Sequence, residues 1–125
     1  MNKAEIVREL MTSQRVYGLV DTLDSVFGNN IHVSIKFSEN VCMANVDELA
    51  LSVRSYNAIR RIGVMTIGDL IDRINQGDLR GVRNLGIKSY KEIQTKMLVY
   101  GFERLSEKEQ ISFFYNLLDE NARIN

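Results

Sequence analysis

VRSYNAIRRIG over 53–63, TIGDLIDR over 66–73 and RNLGIKSYKEI over 83–93 are the words from which the rest of the chain is read. In the first, Val53, Ile59 and Ile62 fall at helical spacing and Gly63 follows, so the pattern predicts a helix from about Ser52 to Ile62. Thr66 with Asp69 three residues later has the form of a capping box, in which a hydroxyl and a carboxylate satisfy each other's backbone amides. A short helix through Ile74 is predicted from that start. Gly77, Gly81 and Gly86 punctuate the next connection, and from Lys88 the residues Ile93, Met97 and Tyr100 predict a helix that stops at Gly101.

Upstream, Ile6, Leu10, Tyr17, Val20, Leu23 and Phe27 recur at helical spacing, which predicts one long amphipathic helix from Lys3 to Phe27 with Gly28 as its stop. Ile31, Val33, Ile35 and Phe37 then alternate with His32, Ser34 and Lys36, the period of a half-buried β-strand. With no second strand beside it in the same sequence, such a strand can pair with its copy in another subunit, so a homodimer through residues 1–45 is expected. Ser38 to Asn45 reads as a loop. Downstream, Ser106 with Glu109 forms another cap, starting a last helix that carries Ile111, Phe114, Leu117 and Leu118. The expected fold is mainly α: a compact helical bundle of about five helices with one strand. The expected organisation is a helix-strand arm over 1–45, a central domain over 46–101 and a helical extension over 102–125.

A protein of 125 residues with 45% hydrophobic and 26% charged residues can bury a core. Cys42 is the only cysteine, which excludes an internal disulfide and a cysteine-based zinc site. No unbroken apolar run suits a signal peptide or a membrane span, so a cytoplasmic protein is expected. Net charge is zero, but nine bases between Asn45 and Gly101 (Arg54, Arg60, Arg61, Arg73, Arg80, Arg83, Lys88, Lys91, Lys96) face six acids (Asp47, Glu48, Asp69, Asp72, Asp78, Glu92). Both flanks are mildly acidic, so a nucleic-acid surface belongs in the middle.

In that middle, and in that order, the three words resemble the C-terminal domain of the bacterial RNA polymerase α subunit, from about Val46 to Gly101. The resemblance implies a compact bundle related to helix-hairpin-helix modules, binding A·T-rich duplex DNA through the minor groove and backbone. Carried over by position, it implies Arg54 as the groove-entering residue, with Asn57, Ala58, Gly86, Lys88, Ser89 and Glu92 completing the DNA surface. Ala58 departs from the cysteine common in the family, and Ala50 stands where an acid that contacts the sigma factor is frequent. Nothing here corresponds to the large assembly domain of an α subunit, so a stand-alone, nucleoid-associated relative is expected.

Chemistry points the same way. NLGIKS sets a glycine at the mouth of a helix whose first amides have no partner within the helix, an anion site for phosphate. Lys88 can add charge and Ser89 a hydroxyl, while Arg54 suits a narrow A·T groove of deepened negative potential. Glu92, which would repel phosphate, is expected to orient Lys88 or Arg54. Each residue also has a plain reading: Arg54 and Lys88 as solvated charges, Asn57 as a surface residue, Ser89 as a helix cap, Gly86 as a tight turn. His32 and Cys42 carry no neighbours that would make a metal site or a nucleophile. The aromatic residues Tyr90, Tyr100, Phe102, Phe113, Phe114 and Tyr115 read as core and subunit contacts. A second functional class, an adaptor binding RNA polymerase, a sigma factor or a transcription activator, would use the acidic flanks. An enzyme is not expected, since no paired-carboxylate metal motif or nucleophile-base arrangement is present, and no cofactor is implied.

Overall fold

The computed structural model describes residues 1–28, 36–77, 79–82 and 85–121. Contacts divide the protein into two compact units, Met1–Ser34 with Leu105–Asn125, and Ile35–Arg104.

In the first unit, α1 (Lys3–Tyr17) begins at Asn2, whose side-chain oxygen accepts from the Glu5 amide at 2.9 Å. Gly18 ends it at φ +92°, and α2 (Leu19–Phe27) starts anew. The single helix expected over Lys3 to Phe27 is therefore two, because apolar periodicity runs on across Gly18 while its backbone takes a conformation that side chains disfavour. The helix over Glu107–Asn121, α7 in chain order, starts as expected: the Ser106 hydroxyl accepts from the Glu109 amide at 3.2 Å, and the Glu109 carboxylate accepts from the Ser106 amide at 3.0 Å. α1 packs on both other helices, and Val7, Leu10, Met11, Leu19, Leu23, Phe114 and Leu117 are buried. Lys3 with Asp119, and Arg15 with Glu107, pair across α1 and α7 in solvent, where such pairs contribute little.

The second unit runs α3 (Glu39–Met43), a 3-10 turn (Val46–Leu49), α4 (Val53–Arg61), α5 (Ile67–Gln76), a 3-10 turn (Leu79–Gly81) and α6 (Ile87–Glu103). α3 falls where the sequence predicts a loop: Ser38, a turn residue in sequence, accepts from the Val41 amide and caps a helix instead. The capping box forms as read, with Asp69 accepting from the Thr66 amide and Thr66 from the Asp69 amide, each at 3.1 Å. A short antiparallel bridge joins Asn45 to Thr66 through Val46 N–H to Met65 O (3.0 Å) and Ile67 N–H to Ala44 O (2.9 Å). Around it close Val46, Ile59, Ile67, Leu70, Leu79, Ile93 and Met97, all fully buried.

Two glycines in this unit are set by packing. A β-carbon on Gly68 would lie 3.0 Å from the Cys42 carbonyl oxygen, so α5 approaches α3 as closely as it does only with glycine there. α6 does not stop at Gly101. It continues to Glu103, and Gly101 is buried inside it because a β-carbon would stand 1.9 Å from the Phe37 ring. The glycine makes a seat for an aromatic ring, and a stop signal and a packing seat look alike in sequence.

Seven α-helices among the described residues replace the five expected, the difference being the break at Gly18 and the short α3. Of the expected strand, Ile31, Val33 and Ile35, together with His32, lie outside the described residues, while Phe37 is irregular and packs on Gly101. The connection that would form the helix-hairpin-helix unit spans 77–86, and its positions 78, 83 and 84 also lie outside the described residues.

Candidate nucleic-acid interface

The start of α4 is tied to α6 by one carboxylate. Ser52, the N-cap, accepts from the Ser55 amide at 3.3 Å, and Glu92 reaches over from the second turn of α6. Its Oε1 accepts from the hydroxyls of Ser52 (2.8 Å) and Ser55 (2.5 Å), and its Oε2 from the Ser52 amide (3.2 Å). The Ser55 hydroxyl, above all, holds the Glu92 carboxyl below the usual glutamate range; Ser52 and the nearby Lys96 ammonium act in the same direction, against a partial burial that raises it. A carboxylate at a helix N-terminus also meets the positive end of the helix dipole. Glu92 has no hydrogen bond or ion pair to Lys88 or Arg54 among the described residues; it grips Ser52 and Ser55, on either side of Arg54 in the chain.

Arg54 and Asn57 are both exposed and lie three positions apart, on one face of α4. Ala58 points the other way, into the core at 2% exposure, so its methyl is no surface for a ligand. At the mouth of α6, Gly86 is the N-cap in extended conformation (φ −76°, ψ 171°), and the helix has no side-chain cap. That conformation is open to any residue, and a β-carbon on Gly86 would meet no atom within 4 Å. The protein itself thus does not require glycine at position 86; what glycine leaves bare is the outer side of the first-turn amides. Ser89, the third residue of the helix and half-buried, is not its cap. Lys88 is exposed. Lys88 and Ser89 precede Glu92 by four and three positions, which places them on the side of α6 that faces the start of α4.

Arg54 and Lys88 have no hydrogen-bond or ion-pair partner among the described residues. Three other cations of this unit are engaged: Arg60 lies 5.7 Å from the centre of the Tyr56 ring, Arg73 donates to the Ile62 carbonyl at 3.1 Å, and Lys96 bonds the Ala50 carbonyl, while Arg61 and Lys91 are exposed like Arg54 and Lys88. Lys88 stands in the first turn of the uncapped α6, and Arg54 and Asn57 stand at the start of α4, which Glu92 ties to α6.

Sequence reasoning missed Ser52, Ser55 and Lys96. Ser52 carried a signal, a serine directly before an apolar-periodic run. Ser55 carried none, because only its complete burial against Glu92 gives it a role. Among the described residues no group of three histidines, cysteines, aspartates or glutamates could hold a metal ion, and no helix is long and apolar enough to cross a membrane.

Residues 36–98 match the family model for the C-terminal domain of the alpha subunit of bacterial RNA polymerase. The DNA-directed RNA polymerase subunit alpha of Malacoplasma penetrans is 43% identical over 68 residues, 54% of this protein and 20% of that one. The subunit alpha of Symbiobacterium thermophilum is 45% identical over 56 residues, covering 45% of this protein and 18% of its own length. That of Desulforamulus reducens is 34% identical over 96 residues, 74% of this protein and 29% of its own length. The matched segment thus spans between 18% and 29% of these relatives. No solved structure matches it. With half of its length in the match, and the three words of 53–93 inside it, the protein belongs to the family of the C-terminal domain of the bacterial RNA polymerase alpha subunit.

Proposed function

We propose that this is a non-catalytic, transcription-associated DNA-binding protein, whose module over about 46–101 clamps backbone phosphates at the α6 mouth and inserts Arg54 into an A·T-rich minor groove. The observation that carries this reading is the uncapped N-terminus of α6 with Lys88 in its first turn, together with the tie that Glu92 makes from α6 to the start of α4, where the exposed Arg54 stands. Gly86, Ser89 and Asn57 complete the surface. The function needs no cofactor and belongs in the bacterial cytoplasm, at the nucleoid. RNA polymerase is the natural protein partner, since the relatives named above are its alpha subunits.

One module of this size binds weakly, and pairing two would raise its effective concentration on DNA. We assign that pairing to the arm over 1–45, on the alternation of Ile31, Val33, Ile35 and Phe37. Sedimentation is expected to give twice the monomer mass at micromolar concentration; the monomer mass throughout would remove the pairing.

The binding test is a titration of A·T-rich and G·C-rich duplexes over a salt series. With four phosphates contacted, log K should fall with log salt at a slope of about −3.6, on the order of a hundredfold between 50 and 200 mM. Lys88→Ala should reduce that slope by about 0.9 and weaken both duplexes alike, as expected of a phosphate contact. No binding at low salt by the folded protein would leave the adaptor reading, which rests on the acidic flanks on either side of the central module.

A further inference from the structure

Ala50 ends the 3-10 turn of Val46–Leu49 in the left-handed region, at φ 50° and ψ 48°, a conformation disfavoured for any residue with a β-carbon. A side chain from α6 holds it there. Lys96 donates from Nζ to the Ala50 carbonyl at 2.5 Å, and the same ammonium stands 3.5 Å from Glu92 Oε2, one helical turn back. That Oε2 also accepts from the Ser52 amide, two residues beyond Ala50. One cation thus joins the carbonyl at 50 to the carboxylate that grips 52 and 55, and Arg54 lies between the two gripped serines. The Lys96 side chain is 40% exposed and the Glu92 side chain 25%, so their attraction acts at the protein edge without the full screening of water.

We propose that Lys96 is a positioning residue for DNA recognition: its ammonium fixes the 50–52 segment and the Glu92 clamp, and so sets the angle at which Arg54 leaves α4. The proposal rests on the DNA-binding reading above. Lys96 points into this network, and the positioning role assigns it no phosphate. Loss of its charge should blur groove recognition by Arg54 while leaving the α6 mouth, with Gly86 and Lys88, able to hold phosphate.

Lys96→Met keeps the aliphatic stem and removes the ammonium. In the full-length protein it is expected to lower affinity for an A·T-rich duplex by about fivefold, and for a G·C-rich duplex by less than about twofold, with an unchanged salt slope. Lys96→Arg should restore the A·T preference. Hydrogen exchange at the Ser52 amide should be faster in Lys96→Met than in wild type, a measurement that needs no DNA. Equal exchange would overturn the positioning role whatever the protein binds. An unchanged A·T preference in Lys96→Met would overturn it as well, and so would an equal loss on both duplexes with a shallower slope, which would make Lys96 a phosphate contact. Wild type that binds neither duplex would remove the DNA-binding reading itself, and this proposal with it.

Discussion

Arg54→Ala is expected to abolish discrimination between A·T-rich and G·C-rich duplexes and to weaken the A·T complex by on the order of tenfold to a hundredfold, while leaving the folded protein as stable as before. The argument starts from what the side chain lacks. Arg54 is exposed at the second position of α4 and has no hydrogen bond or ion pair among the described residues, so its removal breaks none of these and an effect on binding reports on the ligand. A·T-rich sequence narrows the minor groove and deepens its negative potential, which favours a weakly hydrated guanidinium over the strongly hydrated ammonium of lysine. Arg54→Lys should therefore keep the salt slope and recover only part of the selectivity. Fluorescence anisotropy on both duplexes, with circular dichroism to show that the fold is intact, separates these outcomes. Unchanged selectivity in Arg54→Ala would place the groove-reading group elsewhere.

How much of this is legible in sequence depends on whether a signal is local. The Thr66–Asp69 and Ser106–Glu109 boxes are readable because each is closed by residues three apart, and both form as read. The start of α6 near Lys88 is readable from the glycine before it and the apolar spacing after it. Gly18 and Gly101 show the limit. One breaks a helix that periodicity would continue, and the other sits inside a helix that a glycine stop would end, since its role is set by Phe37, far away in sequence. The candidate interface divides in the same way. Arg54 and Lys88, which singly read as solvated charges, are singled out by the three words of 53–93 and the resemblance those carry. The clamp that positions one of them joins Ser52 and Ser55 to Glu92 across 40 and 37 positions, and no spacing rule spans that distance. For the same reason, the serines that Glu92 bonds come only from the packing of α4 on α6.

That clamp has a measurable stability. Glu92→Ala removes a charged acceptor from two hydroxyls and one backbone amide, and leaves Ser55, fully buried, without its acceptor. Hydrogen bonds to a charged group contribute about 1.5–3 kcal/mol net, so a loss of about 2–3 kcal/mol is expected, seen as a fall in Tm on the order of 10 °C. Glu92→Gln keeps the shape but turns a donor toward donors, and should recover less than half of the loss. The pH dependence distinguishes this clamp from mere packing. The carboxyl of Glu92 is held below its ordinary value of 4.5, chiefly by the Ser55 hydroxyl, so the folded state favours the ionised form. The stabilisation is then complete above that ordinary value and is lost as pH falls through the lowered value of the folded protein. Wild type should lose stability across that acid window more steeply than Glu92→Gln, and the two curves should converge at its lower end. Asp69 and Glu109, also held low by the amides and hydroxyls they cap, remain in both proteins and cancel in the difference. Parallel curves would mean that Glu92 holds α4 by contact alone, and that its charge is not what sets the position of Arg54.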